Sequence, residues 1–271
     1  MILFEAKKAF KKIDEFTLLS DVFLSISLGE KVAIVGKNGS GKSSLLKLIG
    51  GIYSETEGVV KRVQLNIGYV PEHFPKNIRF KLYDFLYLVG NMSSKVDQGL
   101  QKRIEQYAEL FSITEFLYTP LKNCSKGTKQ KAGLIQALLH NPDLLLLDEP
   151  LTGLDDKAKI ELLNLLNSLG SDKTIIFTAH DPLLIDRLAD RVLTVESGRI
   201  VSDTKASKNA KVRMIKAKVE NRELLARIPS ITYEFVKEDI VEISVSAKES
   251  DKILSMLLEQ GCSIYELTEK R

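Results

Sequence analysis

A glycine-rich segment near the start of the chain has the residue types and spacing of a phosphate-binding loop. Residues 36–43 fit the pattern Gly-x-x-x-x-Gly-Lys-Ser, between an apolar run typical of a buried strand and a segment with helical spacing. Glycines let backbone N–H groups turn inward around phosphate oxygens, and the helix N-terminus adds a partial positive charge. We expect Lys42 to reach the β- and γ-phosphates of a nucleotide and the Ser43 hydroxyl to bind Mg²⁺. The nucleotide-binding residues predicted here are Gly36, Lys37, Asn38, Gly39, Ser40, Gly41, Lys42, Ser43 and Ser44.

A second motif supplies two adjacent carboxylates further along the chain. The run Leu144 to Leu147 is typical of a buried strand, and Asp148 and Glu149 follow it directly. We expect Asp148 to hold the metal ion or its waters and Glu149 to accept a proton from an attacking water. An Asp-Glu pair after a strand is common in ordinary turns, so this interpretation depends on the phosphate-binding loop upstream.

A third segment, residues 125–130, precedes the acidic strand and opens a predicted helix that ends at His140. Its sequence is Ser-Lys-Gly-Thr-Lys-Gln, and on its own it would be a helix cap with Ser125 near the N-terminus. It resembles the signature motif of ABC ATPases, whose usual form is Leu-Ser-Gly-Gly-Gln, with Cys124 in the place of the leucine. Because the three motifs follow one another in that family's order, the chain is identified as a member by this resemblance.

The resemblance to ABC ATPases covers the first 200 residues and implies further roles. Residues 152–155 match the loop after the catalytic glutamate, and His180 matches the histidine that contacts the γ-phosphate. Glu149 and His180 are therefore the predicted catalytic residues, with ATP as the nucleotide and Mg²⁺ as its metal. ABC ATPase domains pack head to tail as dimers, so the signature is expected to contact ATP held by a second subunit. The signature residues predicted to make that contact are Ser125, Gly127 and Gln130.

Two positions depart from the family's pattern. Glu72 ends the segment Gly-Tyr-Val-Pro-Glu, where the family normally has glutamine. With its carboxylate in the place of an amide, Glu72 joins Ser43 and Asp148 as a predicted metal ligand. The aromatic residue that usually stacks on adenine aligns with Ile13, with phenylalanines three residues to either side, and the sequence leaves the contact residue open.

The elements that must position these motifs alternate between strands and helices. This order predicts an α/β fold with a mostly parallel sheet covered on both faces. The resemblance adds an antiparallel N-terminal β subdomain and a helical signature subdomain at about 78–140. A polar stretch at residues 202–211 predicts a linker, and the βαββαβ pattern after it suggests a small ferredoxin-like domain. The predicted domains are thus an ATPase domain, 1–201, and an accessory domain, 212–271.

Composition excludes some classes of function and predicts a location. The 271 residues carry a formal net charge of +3, and basic residues alternate with acidic ones, which argues against a nucleic-acid partner. The start of the chain is charged too early for a signal peptide, and no apolar stretch approaches the roughly 20 residues of a membrane span. We therefore expect a soluble cytoplasmic protein, with reduced thiols at Cys124 and Cys262, that reaches the inner face of the membrane through a partner.

The resemblance implies the ATP-hydrolysing subunit of a transporter that works with an integral membrane permease. The Pro71-Glu72-His73 segment and the signature look like those of bacterial exporters whose membrane subunits are separate chains, in drug, bacteriocin-like peptide or sodium export. The second ATPase could be another copy of this chain or a different one, and the cargo is left open. The alternative is a non-transport ABC ATPase that acts on a macromolecule. A kinase or GTPase would not explain the signature.

Overall fold

The computed structural model describes residues 1–75, 77–92, 99–170, 172–206, 212–219, 225, 228, 231–237, 239–247 and 249–270. The chain divides into two compact units, Met1–His180 with Asp190–Lys205, and Asp181–Ala189 with Ala206–Arg271. The boundary between the two units after Lys205 falls within the predicted linker. The segment Asp181–Ala189 belongs to the second unit, which the sequence did not predict. The domain boundaries 1–201 and 212–271 stay a prediction.

The helices and strands of the described residues follow in one continuous order. In chain order they are β1 Ile2–Ile13, β2 Phe16–Ser27, β3 Lys31–Val35, α1 Lys42–Ile49, β4 Glu57–Arg62, β5 Ile67–Val70, α2 Leu82–Gly90, α3 Leu100–Leu110, α4 Lys126–Leu138, β6 Leu144–Leu147, α5 Asp156–Ser168, β7 Thr174–Thr178, α6 Pro182–Leu188, β8 Arg191–Glu196, β9 Arg199–Lys205, β10 Val212–Lys218, β11 Thr232–Phe235, β12 Ile240–Ser246, α7 Ser250–Glu259 and β13 Ser263–Lys270.

The central sheet of the first unit is mixed and carries the motifs at its strand ends. Its order is β5-β6-β7-β3-β8-β9, in which every neighbouring pair is parallel except β8 with β9. Every residue of β6 and β7 is buried, as expected for parallel strands covered on both faces. A separate antiparallel sheet has the order β2-β1-β4. The predicted mostly parallel sheet and the antiparallel N-terminal sheet are both confirmed.

The segment predicted to be mainly helical, about 78–140, contains α2, α3 and α4 with two short 3-10 turns. Leu82 and Leu86 of α2 and Ile104 and Ala108 of α3 recur at helical spacing and are fully buried. This spacing explains why the sequence forms an amphipathic helical layer there. The layer ends with α4, whose N-terminus holds the signature segment.

The second unit is a small antiparallel sheet with its own core. Strands β10 to β13 have the order β11-β12-β10-β13. Ile215 and Ile243 from the sheet share one buried cluster with Ile253 and Leu257 of α7. The four predicted strands are present with one of the two predicted helices. The other, predicted at 221–227, lies almost entirely outside the described residues, so the ferredoxin-like assignment stays a prediction.

Two further expectations from composition can be compared with the structure. Within the described parts of the chain, no helix combines the length and apolar character that a membrane crossing requires. Cys124 and Cys262 are buried and form no disulfide.

Candidate active site

The phosphate-binding loop joins β3 to α1 and leaves the start of that helix open. Gly36 has a φ of 151°, and a Cβ there would overlap the Val195 carbonyl oxygen, so only glycine fits this position. The N-cap of α1 is Gly41, which offers no side-chain acceptor to the first turn. The first N–H groups of α1 are therefore not capped by that residue, as an anion-binding helix terminus requires.

Lys42 lies folded back over the loop. Its side chain is largely buried, and Nζ donates to the carbonyl oxygens of Gly36 at 3.0 Å and Lys37 at 3.2 Å. The same Nζ is 3.3 Å from Nε2 of His180, which follows β7. The predicted phosphate-binding lysine and the predicted catalytic histidine are thus neighbours in the structure.

Asp148 ends β6 at the centre of a hydrogen-bonded group. It is almost fully buried, and its Oδ1 accepts from Ser43 Oγ at 3.0 Å and from Thr178 Oγ1 at 2.8 Å. Thr178 also accepts the N–H of Glu149 at 2.8 Å. Sequence reasoning missed Thr178, although Leu147 pairs with Phe177 in neighbouring parallel strands, which places positions 148 and 178 side by side.

The backbone of Glu149 is fixed by a hydrogen bond, and its side chain faces Lys42 and His180. Its φ is 49°, in the left-handed region that non-glycine residues rarely adopt, and its N–H is tied to Thr178. Oε1 lies 3.2 Å from His180 Nε2, without the alignment of a hydrogen bond. Burial raises the pKa of the Glu149 carboxyl above its ordinary value, Asp148 and Glu72 add to the rise, and His180 and Lys42 oppose it. A raised pKa is typical of a carboxylate that works as a general base.

Lys42, Glu149 and His180 line one cleft of about 370 Å³, which we call the nucleotide cleft. Asp148 is joined to it by its hydrogen bond with Ser43, which also lines the cleft. Its lining includes the phosphate-binding loop, both predicted catalytic residues and Glu72, all in the first unit. The lining residues are Asn38, Gly39, Lys42, Ser43, Glu72, Glu149, Thr152 and His180.

A neighbouring cleft of about 390 Å³ shares Gly39, Lys42 and Ser43 with the nucleotide cleft and extends to the start of β2. Its other lining residues are Thr17, Leu18, Gly41, Ser44, Ser197 and Gly198. Ile13 and Phe16, two candidates for adenine contact, are paired across the β1–β2 turn and partly exposed. Neither belongs to this lining, so the residue that stacks on the base stays open.

The predicted metal ligands suit a magnesium ion that arrives with a nucleotide. Ser43 and Asp148 present oxygen atoms 3.0 Å apart, and Glu72 lines the same cleft. Within the described ranges, no cluster of three Asp, Glu, His or Cys side chains could hold an ion on its own. Because Mg²⁺ is usually held by one or two carboxylates together with phosphate oxygens, this donor set fits it.

The signature segment begins α4 as a capped helix. Ser125 is the N-cap, and its Oγ accepts the N–H of Thr128 at 3.1 Å. A Cβ on Gly127 would lie 2.8 Å from the Gly153 carbonyl oxygen, so the signature packs closely on the loop after Glu149. The prediction that Ser125 caps this helix is confirmed. Whether the signature also contacts a nucleotide stays a prediction.

An ion pair between the buried Lys131 and the exposed Asp155 also joins the signature helix to that loop. Lys131 Nζ lies 3.2 Å from Oδ2 of Asp155, which caps α5 by accepting the Ala158 N–H at 2.9 Å. The Ala158 N–H and the Lys131 ammonium lower the pKa of the Asp155 carboxyl. Sequence reasoning missed Lys131, since a single lysine on a helix gives no signal that a carboxylate from a distant loop will pair with it.

The structure does not bring the signature to the nucleotide cleft of its own chain. Ser125, Gly127 and Gln130 are absent from the lining of that cleft. Gln130 is only 2% exposed and lines a different cleft, so contact with a nucleotide would require its side chain to move. The predicted contacts of these three residues with a second subunit's nucleotide stay a prediction.

Residues 19–152 match the family model described as ABC transporter. An uncharacterised ABC transporter ATP-binding protein from Methanocaldococcus jannaschii is 34% identical over 185 residues, which span 68% of this chain and 70% of that protein. The macrolide export ATP-binding/permease protein MacB of Campylobacter jejuni is 29% identical over 268 residues, 93% of this chain but 41% of MacB. This chain thus spans about two thirds of the ATP-binding proteins it matches and about two fifths of MacB.

The fold is similar to a solved ATP-binding cassette in a dimeric post-hydrolysis state bound to ADP and Pi. The TM-score is 0.69 at 25% sequence identity, over 76% of this chain and 99% of that one. The region matched by the family model contains the phosphate-binding loop, the signature segment and both carboxylates that follow β6.

Proposed function

This chain belongs to the family of ABC transporter ATP-binding proteins, and we propose that it is the subunit whose ATP hydrolysis powers export of a substrate by a membrane-spanning partner. As a member of this family it is an ATPase. The observation that carries the proposal is the convergence of Lys42, Ser43, Asp148, Glu149 and His180 around the nucleotide cleft.

In the proposed mechanism each side chain around the cleft has a separate task. The loop N–H groups and Lys42 bind the phosphates, and their positive charge offsets the charge of the transferred group. Glu149 takes a proton from the attacking water, and His180 contacts the γ-phosphate. Ser43, Glu72 and Asp148 would hold Mg²⁺, which would supply positive charge beside the phosphates.

We propose that two such subunits close over ATP. Each nucleotide lies between the phosphate-binding loop of one subunit and Ser125, Gly127 and Gln130 of the other. The N-terminus of α4 then offers N–H groups to the γ-phosphate, so the closed state is favoured only while that phosphate is present. The dimeric state of the similar cassette supports this arrangement, and the second subunit is either another copy of this chain or a related ATPase.

The proposed partner is an integral membrane permease, and the chain acts on the cytoplasmic face of the membrane through it. The likeness to MacB supports export, and the sequence features shared with drug, bacteriocin-like peptide and sodium exporters agree with that direction. Opening and closing of the ATPase dimer would carry the permease between its two states.

We propose that the second unit is an accessory ferredoxin-like domain within 212–271. The strand order of its sheet, β11-β12-β10-β13, supports this. The first and third strands in sequence, β10 and β12, lie side by side at the centre of the sheet, as they do in a ferredoxin-like fold. None of the nucleotide motifs lies in it, so its role is to tune the dimer rather than to catalyse.

Reconstitution tests the proposed function. The permease that co-purifies with the tagged chain would be inserted in liposomes with the ATPase face outward and ATP outside. A panel of labelled substrates, beginning with a macrolide, should include one that accumulates inside with wild type but not with Glu149→Gln. ATP-driven loss of substrate from the lumen would contradict export. Co-purification with ribosomes or DNA in place of a membrane protein would favour the non-transport alternative.

A further inference from the structure

Strand β7 has a threonine at each of its ends, and both hydroxyl oxygens accept a backbone N–H. Thr174, the first residue, accepts from Gly29 at 2.9 Å, and Thr178, the last, accepts from Glu149 at 2.8 Å. Both threonines are fully buried. Thr178 adjoins the two carboxylates that follow β6, whereas Thr174 lies at the opposite end of the strand. The same kind of bond is therefore made once at the candidate active site and once away from it.

The backbone of Glu149 needs support from neighbouring groups because its conformation is unfavourable. A φ of 49° lies in the left-handed region, which a non-glycine residue keeps only where the surrounding structure holds it. The Glu149 carbonyl accepts the N–H of Thr152 at 3.1 Å, which closes a turn within the same segment. The Glu149 N–H donates to Thr178, which belongs to another strand. Thr178 therefore ties the backbone of Glu149 to the central sheet.

The Thr178 hydroxyl also bonds to the neighbouring carboxylate. Its oxygen accepts the Glu149 N–H, and its proton is donated to Oδ1 of Asp148 at 2.8 Å. A branched side chain such as threonine has few χ1 rotamers, so the strand fixes the direction of this hydroxyl. One side chain thus sets the position of the Glu149 backbone relative to the Asp148 carboxylate.

The end of β7 holds Glu149 at two points. Thr178 accepts its backbone N–H, and His180, two residues later, lies 3.2 Å from its Oε1. A general base must lie within hydrogen-bonding reach of the proton that it accepts. A displacement of about 1 Å can lower a rate by about 10²-fold. A group that fixes the Glu149 backbone can therefore limit hydrolysis although it does not contact the nucleotide.

We propose that Thr178 is a positioning residue for ATP hydrolysis, which holds the Glu149 carboxylate where it can accept a proton from the attacking water. The inference rests on the proposed function of Glu149 as the general base. Thr178 is buried and is absent from the lining of the nucleotide cleft, so it acts through Glu149. Loss of its hydroxyl should lower kcat and leave the KM for Mg²⁺-ATP close to that of wild type.

Three variants of β7 separate positioning from stability. Thr178→Val removes both bonds, and kcat should fall about tenfold, as expected for a displacement of less than about 1 Å. Thr178→Ser keeps the hydroxyl and should restore most of kcat. Thr174→Val leaves the Gly29 N–H without its acceptor, so its Tm should fall as that of Thr178→Val does, while its kcat stays unchanged.

Hydrogen exchange of the Glu149 amide reports the bond without any hydrolysis. In a chain that carries ¹⁵N only at glutamate, the backbone signal that disappears in Glu149→Gln identifies this amide. Without nucleotide, its exchange should be at least about tenfold faster in Thr178→Val than in wild type, because the amide has lost its acceptor. Exchange should stay close to wild type in Thr178→Ser and Thr174→Val.

A double-mutant cycle shows whether Thr178 acts through Glu149. Single-turnover hydrolysis by Glu149→Gln is compared with that by the same chain carrying Thr178→Val as well. Because an amide side chain cannot act as the base, its position no longer limits the rate. The added substitution should therefore change the residual rate by less than about twofold.

Each contrary outcome overturns the proposal. It fails if Thr178→Val keeps the wild-type kcat or the slow exchange of the Glu149 amide, if Thr174→Val lowers kcat equally, or if Thr178→Ser restores nothing. It also fails if the double variant is as much slower than Glu149→Gln as Thr178→Val is than wild type. If Thr178→Val does not fold, Thr178→Cys, whose thiol is a weaker hydrogen-bonding group, is judged by the same outcomes.

The Glu149→Gln chain distinguishes this inference from the proposed function. If Glu149→Gln is inactive but Thr178→Val hydrolyses ATP normally, Thr178 is rejected and Glu149 keeps its proposed role. Near-normal hydrolysis by Glu149→Gln would reject both residues together.

Discussion

The two regions of the first unit that carry nucleotide motifs differ in where their polar groups find partners. Around the nucleotide cleft, Ser43, Asp148, Thr178 and Glu149 are joined by hydrogen bonds from three different parts of one chain. In the signature segment, Ser125 is satisfied by its own helix and lies outside the cleft lining. The first region is thus assembled within one chain. In the second region Ser125 caps its own helix, and the segment does not reach the nucleotide cleft of the same chain.

The difference suggests how the site is controlled. A cleft built within one chain can bind ATP before any second subunit arrives. A signature that contacts the γ-phosphate only from another subunit would make hydrolysis depend on closure of the dimer. Substitutions in the first region should therefore act on chemistry or binding in each chain, and those in the second should act only on the assembled dimer.

The largest expected effect is that of Glu149→Gln, in the first region. Loss of a general base typically lowers the rate by about 10²–10⁴-fold. The carboxamide keeps the size of the side chain, so binding of Mg²⁺-ATP should remain close to wild type. Steady-state hydrolysis and equilibrium ATP binding measure the two quantities. Near-normal turnover by this variant would remove Glu149 from the proposed role.

The second region is tested by Ser125→Ala with Ser125→Asn as its control. We expect Ser125→Ala to lower hydrolysis by about tenfold or more, as loss of a transition-state contact would, while the isolated chain binds ATP unchanged. Alanine also removes a helix cap, at a cost of about 1 kcal/mol in unfolding free energy, whereas asparagine keeps the cap. Ser125→Asn should restore stability but not hydrolysis. If it restores both, the cap is the whole role of Ser125.

Gly127 is a poor choice for the same purpose. Any side chain there meets the Gly153 carbonyl within its own chain, so a substitution would disturb the loop after Glu149 as well as a contact with a second subunit. Loss of activity in a Gly127 variant would not distinguish the two regions.

Thr178→Val sharpens the account of the first region. Valine has nearly the shape of threonine but cannot accept the Glu149 N–H or donate to Asp148. Because a buried N–H would lose its partner, the unfolding free energy should fall by about 1–3 kcal/mol. Urea denaturation measures this loss, with Thr152→Val, at the edge of the same cleft, for comparison. Equal stability of Thr178→Val and wild type would show that the hydrogen-bonded group does not hold the site.

The smallest expected effect is that of Glu72→Gln. A carboxylate binds Mg²⁺ more strongly than an amide oxygen does, so the Mg²⁺ concentration for half-maximal hydrolysis should rise by a few-fold. Without metal, the variant no longer has a carboxylate that repels the phosphates, so its affinity for ATP should be equal to or higher than that of wild type. A magnesium titration of both proteins decides the matter. Identical midpoints would show that Glu72 does not hold the metal.

The sequence predicted the site where chemistry imposes a motif. The structure brings Lys42, Glu149 and His180 to one cleft, and Asp148 is hydrogen-bonded to Ser43 in the lining. Their proximity was expected from the motifs, and their roles stay a prediction. Apolar runs such as Leu144–Leu147 also predicted their strands, because a short apolar run between turn signals is typical of a buried strand.

What the sequence could not predict depends on contacts between distant segments. Thr178 contacts Asp148 only because the ends of two neighbouring strands lie side by side. Lys131 has the sequence pattern of a surface lysine, and its ion pair with Asp155 forms only in the folded chain. Gln130, near the start of α4, is likewise a polar residue whose burial no local pattern predicts. No local pattern encodes these contacts, so the residues around the motifs had to come from the structure.

The most direct test of the account combines one variant from each region in a single dimer. Chains with Lys42→Ala and Ser125→Ala, each with its own tag, are purified as a heterodimer by two affinity steps. If the signature acts across the dimer, one of the two sites is intact, and hydrolysis should recover to about half that of the wild-type dimer by symmetry. Hydrolysis no higher than that of either variant alone, in a heterodimer verified by mass, would contradict the account.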